Sequence, residues 1–149
     1  MKRLLFGVGN RLSRDDGIGP TVAALLADSD WLAIDCGSAL ENAVGIAARN
    51  RPDLVVVVDA AAMGLPPGSI RRLPSRASDT MLISTHSLPI PFVLERIREE
   101  ASYLILIGVE PADLSFGEGL TAPVSAAAFR LARIILQNRL DLIRPFQPA

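Results

Sequence analysis

The stretch Leu54-Val55-Val56-Val57-Val58-Asp59 decides the fold class. Its consecutive valines make an extended segment apolar on both faces, the composition of a strand covered on both sides in a parallel sheet. Apolar runs of similar length recur at 4–8, 31–34 and 104–109. Helix-type segments lie between them: 20–27 opens on Pro20, 40–48 follows Gly37-Ser38, and 90–100 carries Phe92, Val93, Leu94 and Ile97. A last helix is predicted over 122–139, with Pro123 in its first turn and Val124, Ala127, Ala128, Leu131, Ile134 and Ile135 on one wide apolar face. Residues 69–73, after Pro66-Pro67-Gly68, read as a short edge strand, and 144–149 as a loose tail. Strands alternating with helices in this order predict a doubly wound, mostly parallel α/β fold with helices on both faces of the sheet.

In such a sheet ligands gather beyond the carboxyl ends of the strands, so the residues just after each apolar run carry the functional reading. Those residues are acidic. The first run leads into Gly7-Val8-Gly9-Asn10-Arg11-Leu12-Ser13-Arg14-Asp15-Asp16, the second ends at Asp35 and the third at Asp59, while the chain's single histidine, His86, precedes the helix that starts at Ile90. The glycine loop is not a dinucleotide fingerprint, because Leu12 stands where the third glycine is required, and no Gly-Lys-Ser/Thr phosphate loop is present. Asp15 and Asp16 before a helix would repel phosphate. One of the two could cap that helix, and a second adjacent acid has no such explanation. Asp59, after four valines, is costly to bury unless it is hydrogen-bonded, paired or bound to a cation. Asp35 allows a turn or capping role, since Gly37-Ser38 follows. Two carboxylates and one imidazole, if they meet, would form a three-ligand site with open positions, suited to a borderline divalent metal. Cys36 with His86 suggests a competing cysteine nucleophile and base, against the ordinary reading of a free cysteine as a small apolar filler.

The 149 residues, half of them apolar, suffice for one domain (1–149) with a buried core and no staples. A net charge of -1 gives no field for nucleic acid or anionic lipid, so neither a nucleic-acid nor a membrane partner is expected. A single cysteine excludes an internal disulfide framework and fits a reducing compartment, making the cytoplasm the expected location. Leu4-Leu5-Phe6 is too short for a signal-peptide core, and no apolar run has the length of a membrane span.

Taken in order, GVGNRLSRDDGIGP (7–20), DCGSALEN (35–42), VVVVDAAAMGLPPGSI (55–70), STHSLPI (84–90) and LIGVEPADLSFGEGLTAPV (106–124) resemble the successive motifs of the nickel–iron hydrogenase maturation endopeptidases. The branch most resembled processes the large subunit of formate-hydrogenlyase-type (hydrogenase 3) enzymes. The resemblance runs from about Leu4 into the final helix, and its weight lies in the conjunction of motifs. It implies a three-layer α/β fold with a five-stranded sheet. It further implies an endopeptidase that removes the C-terminal extension of a nickel-loaded hydrogenase large-subunit precursor. The family's metal-contacting positions fall on Asp16, Asp59 and His86, with Asp35 matching a recurrent aspartate near the substrate and Asp15 left as a loop or cap residue. The nickel would be the substrate's own, although zinc or cadmium could enter the same site. Glu110 stands where the family commonly has glutamine, and Cys36 where it commonly has a small residue. A Rossmann-like small-molecule or nucleotide-binding module without protease activity is the alternative, favoured by fold alone and opposed by Leu12 and the acidic rim.

Overall fold

In the computed structural model the described residues are 1–74 and 90–147. Five strands, β1 (Arg3–Val8), β2 (Leu32–Gly37), β3 (Leu54–Ala60), β4 (Ile70–Leu73) and β5 (Tyr103–Val109), form one sheet in the order β2-β1-β3-β5-β4. The first three and β5 are parallel, and β4 runs antiparallel along the outer edge of β5. Among the described residues four α-helices connect or follow them: α1 (Ile18–Leu25), α2 (Ala43–Asn50), α3 (Ile90–Glu100) and α4 (Ala122–Leu136). The predicted mostly parallel α/β architecture is therefore what the chain adopts.

Alternation along the strands builds two cores. Leu5, Val56, Val58, Ile107 and Val109 point to one face and pack with α1 and α4. Leu4, Phe6, Val8, Val55, Val57, Leu104 and Leu106 point to the other and pack with α2 and α3. The valine run thus fills both faces by turns, as an apolar-on-both-sides strand must.

The glycines of 7–20 have a purpose that the sequence reading did not assign. A Cβ on Gly19 would stand 2.4 Å from both Val8 N and Val8 O and 2.5 Å from Val58 O. One on Gly7 would lie 2.1 Å from Gly19 O, and one on Gly9, where φ is +143°, 1.7 Å from Asp16 O. The first turn of α1 accordingly lies backbone to backbone on β1 and β3, closer than any side chain permits. The helix begins at Ile18, two residues before the expected Pro20, which sits in the first turn where its missing N–H forfeits no intrahelical bond.

Other expectations are corrected as well. Neither Asp15 nor Asp16 caps α1: its N-cap is Gly17, with no side-chain cap bond. Asp35 and Asp59 lie inside β2 and β3, not after them. The tail is not loose as far as Phe146, because Arg72 N donates to Arg144 O and Phe146 N to Arg72 O, both at 2.8 Å, so the segment shields the outer edge of β4. The final helix also stops at Leu136, and the segment 40–42 is a separate 3-10 turn before α2.

Gly19→Ala is expected to remove most of the folded population, since the methyl meets backbone that cannot withdraw. Gly45→Ala should instead stabilise by about 0.5–1 kcal/mol, because this mid-helix glycine of α2 faces only the flexible end of Arg49 at 3.4 Å. Urea unfolding of both variants checks the contrast, and a Gly19→Ala protein as stable as the parent would contradict the close-contact reading.

Candidate active site

Strand β2 lies on one side of β1 and β3 on the other, so the winding reverses between β1 and β3. The crevice beyond the carboxyl ends of two such strands is the usual ligand position in a doubly wound sheet. Two buried carboxylates occupy it. Asp59, 6% exposed, is near the end of β3 opposite Gly108 of β5, and by alternation shares the α2/α3 face with Val55 and Val57. Asp16, 8% exposed, is in a 3-10 turn (Arg14–Gly17) that follows β1 and packs against both α1 and β3. Its Oδ2 accepts from Asn10 N at 2.9 Å, and its Cγ would be 3.6 Å from a Gly9 Cβ, so the carboxylate stands against the end of β1. The β1–β3 register pairs Gly7 with Val58, and one residue further along each strand Val8 draws level with Asp59.

Asp16, on the turn after β1, and Asp59, near the end of β3, are thus brought to the same rim of the sheet. Among the described residues no group of three His, Cys, Asp or Glu side chains forms a metal centre, and the expected third ligand, His86, lies outside the described residues. Asp35 is not drawn into the pair. It is on β2, in line with Ala33 on the α1 face; its Oδ1 accepts from Gly37 N at 2.8 Å, and its Oδ2 meets Arg11 Nε at 3.4 Å in an exposed ion pair.

The carboxylates that flank this pair fasten it. Asp15 is fully buried. Its Oδ2 accepts from Ala112 N (2.8 Å) and Asp113 N (3.0 Å), its Oδ1 from Thr121 N (2.7 Å), and the Thr121 hydroxyl reaches both oxygens. Asp15 therefore ties the turn of Asp16 to the segment between β5 and α4, an anchoring role beyond the loop or cap residue expected. Glu110, 8% exposed, does the same for the chain that leaves β3: its Oε1 accepts from Met63 N (2.8 Å) and Leu65 N (3.0 Å). A glutamine at 110 would offer the same acceptor, which reconciles this glutamate with the usual family residue. The acidic character of both residues is plain in the sequence, but which distant amides they satisfy is set by packing alone.

The setting of Cys36 opposes a nucleophilic role. Burial, reinforced by the nearby Asp35 charge, pushes its thiol up to about 12, whereas a reactive cysteine needs its pKa lowered. Because the folded pKa is raised, the stability contributed by the protonated thiol is fully present below the ordinary thiol range and fades as pH climbs through that range towards about 12. In the folded protein at pH 8.5, iodoacetamide should alkylate Cys36 far more slowly than in the urea-unfolded chain; equal rates in mass spectrometry would contradict this assignment. For Glu110, replacement by Ala should cost about 1–3 kcal/mol by stranding two loop amides. Glu110→Gln should unfold at nearly the parental urea concentration, and a Gln variant as weak as Ala would refute the acceptor role.

Comparison with known proteins places the chain in a family. The Hydrogenase maturation protease family matches residues 21–138, a span that holds Asp35, Asp59 and His86 and begins after Asp16. The Hydrogenase 3 maturation protease of Escherichia coli (strain K12) is 34% identical over 131 residues, covering 85% of this chain and 84% of that protein. The solution structure of the endopeptidase HycI from Escherichia coli superposes with a TM-score of 0.87 at 30% identity, covering 99% of this chain and 97% of that one. The crystal structure of the [NiFe] hydrogenase maturation protease HycI from Thermococcus kodakarensis KOD1 gives a TM-score of 0.83 at 31% identity, over 93% and 92% of the two chains. With its doubly wound sheet and these relatives, the chain belongs to the hydrogenase maturation protease family of endopeptidases.

Proposed function

We propose that this protein removes the C-terminal extension of a nickel–iron hydrogenase large-subunit precursor once nickel has been inserted, and that Asp16, Asp59 and His86 read the presence of that nickel. The observation that supports the reading most is the burial of two carboxylates at the β1/β3 crevice, Asp16 on the turn after β1 and Asp59 near the end of β3. Like charges held in a partly dry site repel, and a divalent cation between them would convert that repulsion into attraction. Two carboxylates and an imidazole leave coordination positions open, and the precursor's own ligands would complete the shell. The nickel is then part of the substrate, and an unloaded precursor presents nothing for the acids to grip.

Peptide-bond hydrolysis adds water across the scissile amide, with hydroxide joining the carbonyl carbon and a proton going to the departing nitrogen. A carboxylate at this rim is suited to handle that proton. Asp35, exposed on the neighbouring edge strand beside Arg11, takes a supporting role where the precursor chain enters. Among the described residues no helix is long and apolar enough to cross a membrane, and the one free cysteine suits action in the cytoplasm.

The test is to incubate the protein with a large-subunit precursor, nickel-loaded or nickel-free, and follow loss of the extension by mass spectrometry. Only loaded precursor should be cut. Asp16→Ala, Asp59→Ala and His86→Ala should each slow cleavage by roughly 100-fold or more, the scale set by losing several kcal/mol of charge stabilisation. Equal cleavage of nickel-free precursor would overturn the gating role.

A further inference from the structure

We propose that Asp15 is the positioning residue for Asp16, acting through the turn that carries both. This deepens the reading above and rests on it for the metal arm of its test. Asp15 is fully buried, and all five hydrogen bonds described for its carboxylate come from donors beyond β5: the amides of Ala112, Asp113 and Thr121, with the Thr121 hydroxyl meeting both oxygens. An acceptor-only carboxylate matches that ring of donors; an amide does not, because either orientation of an asparagine would turn its NH2 towards a backbone N–H. The hydrogen-bonded donors thus select Asp over Asn at this position.

The turn needs such an anchor. Arg14 enters it with φ +45°, a conformation costly for a residue with a side chain and maintained only where the surroundings over-determine it. Three backbone bonds to the β5–α4 segment help: Arg14 N to Gly117 O, Asp15 N to Asp113 O, and Gly117 N to Leu12 O. Asp15 adds side-chain bonds at two separate places on that segment, one near Asp113 and one at Thr121, the N-cap of α4. Asp16 is the next residue, and its Oδ2 is held by the amide of Asn10. With the turn fastened to α4 on one side and to the end of β1 on the other, the Asp16 carboxylate has a fixed position before any metal arrives. Hydrogen bonds that hold a metal-binding side chain in place are a recurring device, and the Asn10 amide makes one to Asp16.

Asp15→Asn and Thr121→Val are compared with Ile135→Ala, a core truncation at the far end of α4, chosen to lower Tm to a similar degree. All are measured well below their Tm. In Asp15→Asn, hydrogen exchange at the Asn10 amide should accelerate beyond that in Ile135→Ala, and cadmium affinity by calorimetry should fall roughly 10- to 100-fold. Thr121→Val, which removes only the hydroxyl donor, should move both readouts in the same direction by less, and it serves if Asp15→Asn does not fold. Ile135→Ala should bind cadmium like the parent. Parental Asn10 exchange in the Asp15→Asn and Thr121→Val proteins would overturn the proposal, as would equal effects in Ile135→Ala. A parent protein that binds no cadmium would count against the metal-reading function, while the Asn10 exchange would still decide whether Asp15 holds the turn.

Discussion

The contact of α1 with the backbones of β1 and β3 governs the rest of the molecule. Gly7 and Gly19 remove the side chains that would separate helix from sheet, and Gly9 lets the chain turn off β1 while Asp16 O comes against it. This closeness sets the height of the 3-10 turn, and with it Asp16, above the crevice where the winding reverses. In nucleotide-binding relatives of the architecture glycines at this place admit a pyrophosphate. Here they admit the protein's own backbone, and the loop ends in carboxylates that no phosphate would accept.

A second layer of order comes from the segment between β5 and α4. Glu110 at its start satisfies two amides of the chain leaving β3, while Ala112, Asp113 and Thr121 satisfy Asp15 on the chain leaving β1. Both site acids are therefore carried on segments pinned to one neighbouring element. Burying four carboxylates near one end of a sheet is expensive, and amide donors offset the cost for Asp15, Asp16 and Glu110. Asp16 and Asp59 are the two that the proposed function puts to work, as arms of a cation-sensing site presented to a substrate.

Much of this was legible in the residues. The valine run fixed on itself the character of a central strand, and spacing between apolar runs anticipated helices on both faces. The acids at strand ends marked one rim. Less legible were the limits of elements: Asp35 and Asp59 fall within strands because hydrogen bonding to β1 and β5 continues past the last apolar residue. The end of the chain looked loose because its two prolines favour no regular element, yet the edge of β4 offers it partners at Arg72. Asp15 looked like a helix cap because local propensity is all a sequence displays; the amides that claim it lie about a hundred residues away.

By itself the sequence determined the fold class, the resemblance to the hydrogenase maturation endopeptidases and the acidic nature of the rim, because these depend on residue type and on periods along the chain. Only the tertiary structure decided which partners each acid meets. Asp15 and Asp16 are adjacent and chemically identical, and they part company because the sheet winding sets one against the β5–α4 segment and the other beside the end of β1. Hydrogen-bond partners distant in sequence are chosen by packing, and no local pattern encodes them.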